Sequence, residues 1–326
     1  MLAFFRTTQS FAGLPLLAYV LLVQLPYLLA GEGAEVTGSD FGPFGDALVA
    51  WSAQHPYLSA GLTVFLVATV GLQLNVLATR HRFARVMTQF PGLFAVLLLL
   101  LVPGARTLHP VHCAGVALGF ALLSTGRVYK REEPAVPIFN AGAWVAVAAL
   151  FVPAFLIFLV PAWVGISILG RLSGRNLLRT LVGVLIVFFL AFTADYVLFG
   201  GSDFWYRLLP GFSVYFAGGV TTVGAIGLGV VALLLGVVIL SQNTLVRTLN
   251  IEGKKGVNFL YWVLLTTPLA ALLWGGVYPV AAAAAALLVG SLLGLRLLQA
   301  PPARAEFIHL ILFVLAFLPG ILLFLG

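Results

Sequence analysis

Apolar runs about as long as a bilayer core is thick return from one end of this sequence to the other. A helix needs roughly 20 such residues to cross the hydrocarbon. The runs fall near 11–30, 58–78, 90–105, 111–126, 137–152, 154–169, 180–200, 216–241, 257–275, 279–297 and 306–325. Nothing else restricts the fold so severely, because a backbone in hydrocarbon must satisfy its own N–H and C=O groups, and a helix does so within one segment. The sequence therefore predicts an all-α polytopic membrane protein of about eleven transmembrane helices. Composition agrees: 8% of residues are charged and the mean hydropathy is +1.12, whereas a soluble domain carries about a quarter charged residues. No polar stretch is long enough for a separate soluble domain.

Charge sorting gives the topology. Arg6 precedes the first run, which no small-residue cleavage site closes, so the run reads as a retained helix. Alternate connections then carry Arg80, Arg82 and Arg85; Arg127, Lys130 and Arg131; Arg171, Arg175 and Arg179; Arg247, Lys254 and Lys255; Arg296 and Arg304. Of seventeen cations, only Arg106 and Arg207 fall on the other side. The positive-inside rule places the rich side and the amino terminus in the cytoplasm of a bacterial inner membrane. The same sorting accounts for the pI of about 9.9 without a nucleic-acid partner. The single Cys113 excludes an intrachain disulfide, a Cys-ligated zinc and an iron–sulfur cluster held by this chain alone.

One region permits two topologies. Residues 137–169 read as one long helix kinked at Pro153 or as a hairpin of two short arms. A single helix would send Arg171, Arg175, Arg179, Lys254 and Lys255 outside, so the hairpin is the expectation. The chain, 1–326, is expected to be one helical domain. It comprises an N-terminal module (1–136) with an acidic outer loop at 31–57, a hairpin segment (137–179), and C-terminal helices (180–326) with an aromatic outer loop at 201–212.

The candidate residues gather on the outer side. GEGAEVTGSDFGPFGDALVAW (31–51) holds Glu32, Glu35, Asp40 and Asp46 with no cation between Arg6 and Arg80. One reading is that these are solvated loop acids. The other is that SDFGPFGD leads into a short interfacial helix starting near Phe44 or Gly45. A carboxylate held at that boundary is partly desolvated and suited to general-base work. Asp40 ranks first, then Asp46. Asp195 is the only acid well inside an apolar run, a functional position by default unless it reaches headgroups. Asp203, Trp205, Tyr206 and Arg207 form a second amphipathic stretch. Arg207 and Arg106, one or both, are candidates for a lipid phosphate, Arg207 ranked first; the alternative is that they pair with Asp203 or with lipid headgroups. The spacing of His109 and His112 suits one helix face, but Pro110 between them and the scatter of His55, His81 and His309 argue against a metal site. No cofactor motif is present.

Two resemblances follow from these segments. FFRTTQSF, LNVLATRHRF and the block PIFNAGAWVAVAALFVPAFLIFLVPAWVGISILGRLSGRNLLRTLVG resemble an uncharacterised family of Bacteroidota integral membrane proteins. The arrangement of a cytoplasmic terminus, one helix and an acidic outer loop with an interfacial helix resembles the GT-C glycosyltransferases. That second resemblance implies a polyprenyl-phosphate-sugar donor and a catalytic acid in the first outer loop, here Asp40, with Glu35 and Asp46 as the other candidates.

Three functions compete at this stage. The first is a glycosyltransferase with Asp40 as base and Arg207 holding the leaving lipid phosphate. The second is a non-catalytic subunit anchoring membrane or cytosolic partner proteins in an envelope complex. The third is a transporter or flippase for a lipid or lipid-linked glycan, for which Gln73, Asn75, Asn140, Thr221 and Thr222 are the scattered mid-membrane polar residues.

Overall fold

The computed structural model describes residues 2–6, 13–30, 41–84, 88–102, 104–201, 203–209, 222–247, 249–273 and 278–325. Every regular element among them is helical. In chain order these are α1 (Ala3–Arg6), α2 (Gly13–Ala30), α3 (Pro43–Gln54), α4 (Pro56–Arg80), α5 (Phe90–Leu99), α6 (Pro110–Gly126) and α7 (Ala135–Phe151). A 3-10 turn (Pro153–Phe158) precedes α8 (Leu159–Leu169). There follow α9 (Gly174–Phe199), α10 (Phe204–Leu208), α11 (Thr222–Leu240), α12 (Gln242–Arg247), α13 (Ile251–Leu273), α14 (Tyr278–Leu298) and α15 (Pro302–Leu325). Among the described residues, four helices are long and apolar enough to cross a membrane: α2, α4, α9 and α15. Six shorter apolar segments accompany them.

The centre of the bundle is α5. All ten of its residues are buried, and its main partner is α14. The two backbones meet because Gly290 and Gly294 carry no side chain. A Cβ at Gly290 would stand 2.5 Å from Ala95 Cα and from the Phe94 carbonyl. Small residues at a helix crossing permit this approach. At its start, α5 leaves the Gly92 N–H without an intrahelical acceptor, and Asn75 Oδ1 on α4 accepts it at 2.7 Å. The expected run 90–105 is thus shorter as a helix. α5 stops at Leu99, and buried turns carry the chain through Leu100, Leu101 and Val102.

His109 then begins α6. Its side chain accepts the Val111 N–H at 3.1 Å, and the His112 ring closes the reciprocal contact on the His109 backbone N–H. His112 Nε2 also meets the Ala105 carbonyl at 3.0 Å. Both imidazoles therefore fasten the connection between α5 and α6, which explains their spacing.

The chain turns back at Val152–Pro153. Val152 is extended (φ −139°, ψ 101°), which ends α7, and proline cannot continue the ladder. Ile138 near the start of α7 packs with Ile166 near the end of α8, so the two arms run antiparallel. α9 flanks α7, where Gly142 and Gly183 admit the neighbouring backbone.

Contacts divide the loops into two ends. At one, the Gln89 N–H donates to Phe5 O, Arg6 reaches Ala300 O and lies over the Phe90 ring, and Gly253 abuts Arg82. Lys130 and Lys255 there both approach the Tyr129 ring. At the other, Phe41 stands on His109, the Gly42 N–H donates to Phe151 O at 3.1 Å, and α10 touches α3. The first end carries the basic connections, and the second carries Asp46, Asp195 and Asp203 with Arg106 and Arg207.

Candidate functional site

At the acidic end, α3 lies against the end of α7. Pro43 opens it at a position where a missing N–H is harmless, and Gly42 and Gly45 bring its backbone onto the carbonyls of Ala149, Leu150 and Phe151. Phe44 adds an edge-on contact with Phe151 at 6.0 Å. The helix ends at His55, whose ring stacks on Trp51 (5.2 Å, 18°), just before Pro56 opens α4. Asp46 sits half-buried in the first turn of α3, where the helix dipole favours a negative charge. Asp40, Glu35 and Glu32 lie outside the described residues.

The short α10 is pinned beside α3. Phe204 and Leu208, one turn apart, are fully buried against Ala146, Ala149 and Leu150 of α7. That leaves Trp205 and Tyr206 exposed (Tyr206 at 82%), with Arg207 half-buried. Phe192 of α9 contacts Phe204 at 5.6 Å and Trp205 at 5.8 Å. Asp195, one turn further along α9, is half-buried in the last turn before Gly200, which closes the helix at φ 84°. The structure thus brings the elements that carry Asp46, Asp195, Trp205, Tyr206 and Arg207 together on the end of α7.

Arg106 belongs to a different group of helices. Its Nε donates to Leu100 O at 2.8 Å and Nη1 to the Tyr27 hydroxyl at 3.1 Å, with the guanidinium 5.9 Å from the Tyr27 ring centre. It stands at a small apolar crevice between the start of α11 and the end of α15, and Gly227 lets α11 rest on the Leu101 carbonyl. The sequence ranking of Arg207 above Arg106 missed this crevice and missed Tyr27. The only signal for Tyr27 was an aromatic near the end of an apolar run, where such residues collect in membranes.

Among the described residues, no group of three or more His, Cys, Asp and Glu side chains is arranged to hold a metal ion. Two of the polar residues within apolar runs, Gln73 and Asn75, hold helices together. Gln73 Nε2 donates to Val116 O at 3.1 Å and Asn75 caps α5. Thr221 lies outside the described residues. Comparison with protein-family models, with curated proteins and with solved structures found no match.

Proposed function

We propose that this chain is a multi-pass protein of a bacterial inner membrane, with a cytoplasmic amino terminus and about eleven spans. On this reading it transfers a sugar from a polyprenyl-phosphate donor at its outer, acidic end. One observation carries the reading: two short helices, α3 and α10, are layered on the end of α7, so a carboxylate in a helix's first turn and an arginine share that end. Asp46 or Asp40 would take the acceptor's proton, and Arg207 would hold the lipid phosphate as it leaves. Exposed Trp205 and Tyr206 suit a headgroup-level position beside such a donor. The gathering of cations at the opposite end of the bundle supports the orientation.

The test is glycan incorporation in the native host by cells carrying Asp40→Asn, Asp46→Asn or Arg207→Gln, with membrane insertion verified. The expected result is a fall of about 100-fold or more for the residue acting as base. Unchanged incorporation in all three overturns the transferase.

A second reading, a non-catalytic subunit, is favoured by α9. This 26-residue helix packs on α7 and leaves Leu185, Phe189, Leu190, Val197 and Leu198 more than half exposed. Co-purification of a membrane partner crosslinked through Phe189, with incorporation insensitive to the three variants, would select that reading.

A further inference from the structure

We propose that the crevice at Arg106 holds part of one tail of a bilayer glycerophospholipid, with its phosphodiester on the guanidinium. The inference rests on the membrane placement above and is independent of sugar transfer.

The shape argues for a hydrocarbon tail. Leu101, Ile226, Val230, Leu315, Leu318 and Leu322 line the crevice, whose volume is about 80 Å³. Pockets that bury a drug-sized ligand run from about 300 Å³ upward, so the crevice encloses no whole molecule of that size and suits a short stretch of chain. Ile226, Leu318 and Leu322 are each about half exposed on the outside of the bundle. The crevice therefore opens sideways, toward the membrane's own hydrocarbon.

The charge argues for a phosphate. A guanidinium has five N–H donors, and the bonds to Leu100 and Tyr27 leave the Nη2 group of Arg106 without a partner among the described residues. No acid among them pairs with it either. A cation beside apolar walls is stable only with an anion or a path to water. The Tyr27 hydroxyl accepts from Arg106 and keeps its own proton to donate, so both groups can reach one phosphate. A phosphodiester carries a single negative charge, which matches the single cation. The short crevice takes a stretch of one tail and leaves the other in the bilayer.

The experiment measures lipid binding to the purified full-length protein in detergent by native mass spectrometry. The probes are dioleoyl phosphatidylglycerol, dioleoylglycerol with the same tails, inorganic phosphate, and a polyprenyl phosphate. Phosphatidylglycerol is expected to bind at least tenfold more tightly than dioleoylglycerol, and inorganic phosphate not at all. Arg106→Gln should lower that affinity at least tenfold, Arg106→Lys less, and Leu318→Trp, which fills the crevice but keeps the charge, at least tenfold. Arg304→Gln, at the other end of the bundle, should leave it unchanged. Equal binding of phosphatidylglycerol and dioleoylglycerol, or unchanged binding in both Arg106→Gln and Leu318→Trp, overturns the site. Tighter binding of polyprenyl phosphate at Arg106 overturns the choice of glycerophospholipid. Should Arg106→Gln fail to fold, Leu318→Trp and Arg106→Lys decide. Normal sugar transfer in cells carrying a Leu318→Trp protein that no longer binds phosphatidylglycerol would separate this site from the transfer site.

Discussion

α5 and α9 are both strongly apolar, yet their surroundings are opposite. α5 has ten residues, every one buried; α9 has twenty-six, and only 28% of its apolar eighteen-residue stretch is buried inside the bundle. Hydropathy cannot tell them apart, because a side chain facing lipid and one facing protein experience similar polarity. What separates them is surface shape. α5 meets glycines on α14, so backbones touch, whereas α9 carries Leu and Phe outward, away from the rest of the chain. In a membrane, association depends on close packing and on satisfied polar groups more than on the hydrophobic effect. Burial of α5 is thus a matter of small residues and one well-placed amide.

That comparison breaks first at Gly290. Gly290→Ala places a methyl 2.5 Å from Ala95 Cα, and neither backbone can give way locally. We expect a loss of about 3 kcal/mol or more, read as a lower unfolding midpoint or as failure to accumulate in membranes. Wild-type stability would mean that α5 and α14 are not held by this crossing. A smaller effect falls on Asn75. Asn75→Leu keeps the branched shape, with a larger side chain, but strands the buried Gly92 N–H. The expected loss is about 1–3 kcal/mol, measured by thermal unfolding in detergent. Asn75→Asp, measured at a pH low enough that the carboxyl is neutral and keeps the acceptor oxygen without burying a charge, should lose less than Asn75→Leu, and an equal loss there would refute the cap.

Much of this contrast could be read from the sequence, and some could not. The long spans were visible because a run such as 56–80 contains no charge before Arg80. The two ends were visible because cations cluster in alternate connections. The turn into α3 was visible in Gly42, Pro43 and Gly45. The stop of α5 at Leu99 was not, since Leu100, Leu101 and Val102 are as apolar as what precedes them. The crevice at Arg106 was hidden for a related reason. Tyr27, Ile226 and Leu318 stand far apart in the chain, and only folding makes them neighbours. The spacing of His109 and His112 suited one helix face without pointing to a metal, and their local backbone contacts answer for both.

The turn that delivers the chain toward α5 adds a pH test. His81 is held at a pKa of about 4, first by burial and then by repulsion from Arg80 and Arg127. Because the folded value lies below the ordinary 6.5, the unfolded chain takes up the proton first. The neutral ring therefore leaves stability intact above pH 6.5, and stability is lost as the pH falls from there toward 4. His81→Gln should flatten the decline of the unfolding midpoint between pH 7 and 5, and Arg127→Gln should reduce it. Parallel declines in all three proteins would assign the acid sensitivity elsewhere.

The smallest effect belongs to α9, and it sharpens the comparison from the other side. Leu185 is 65% exposed and Phe189 67%, so truncating either removes few contacts within this chain. Leu185→Ala and Phe189→Ala are expected to shift stability by no more than about 0.5 kcal/mol in the isolated protein. The same substitutions, measured in native membranes, discriminate between the two occupants of this face. If lipid covers it, both remain neutral there and a crosslinker at Phe189 captures no protein. If a partner helix covers it, the isolated protein is still indifferent, while Phe189→Ala weakens the assembly in membranes. A large loss of stability in detergent would contradict both, and would mean that α9 is packed like α5 against part of this chain.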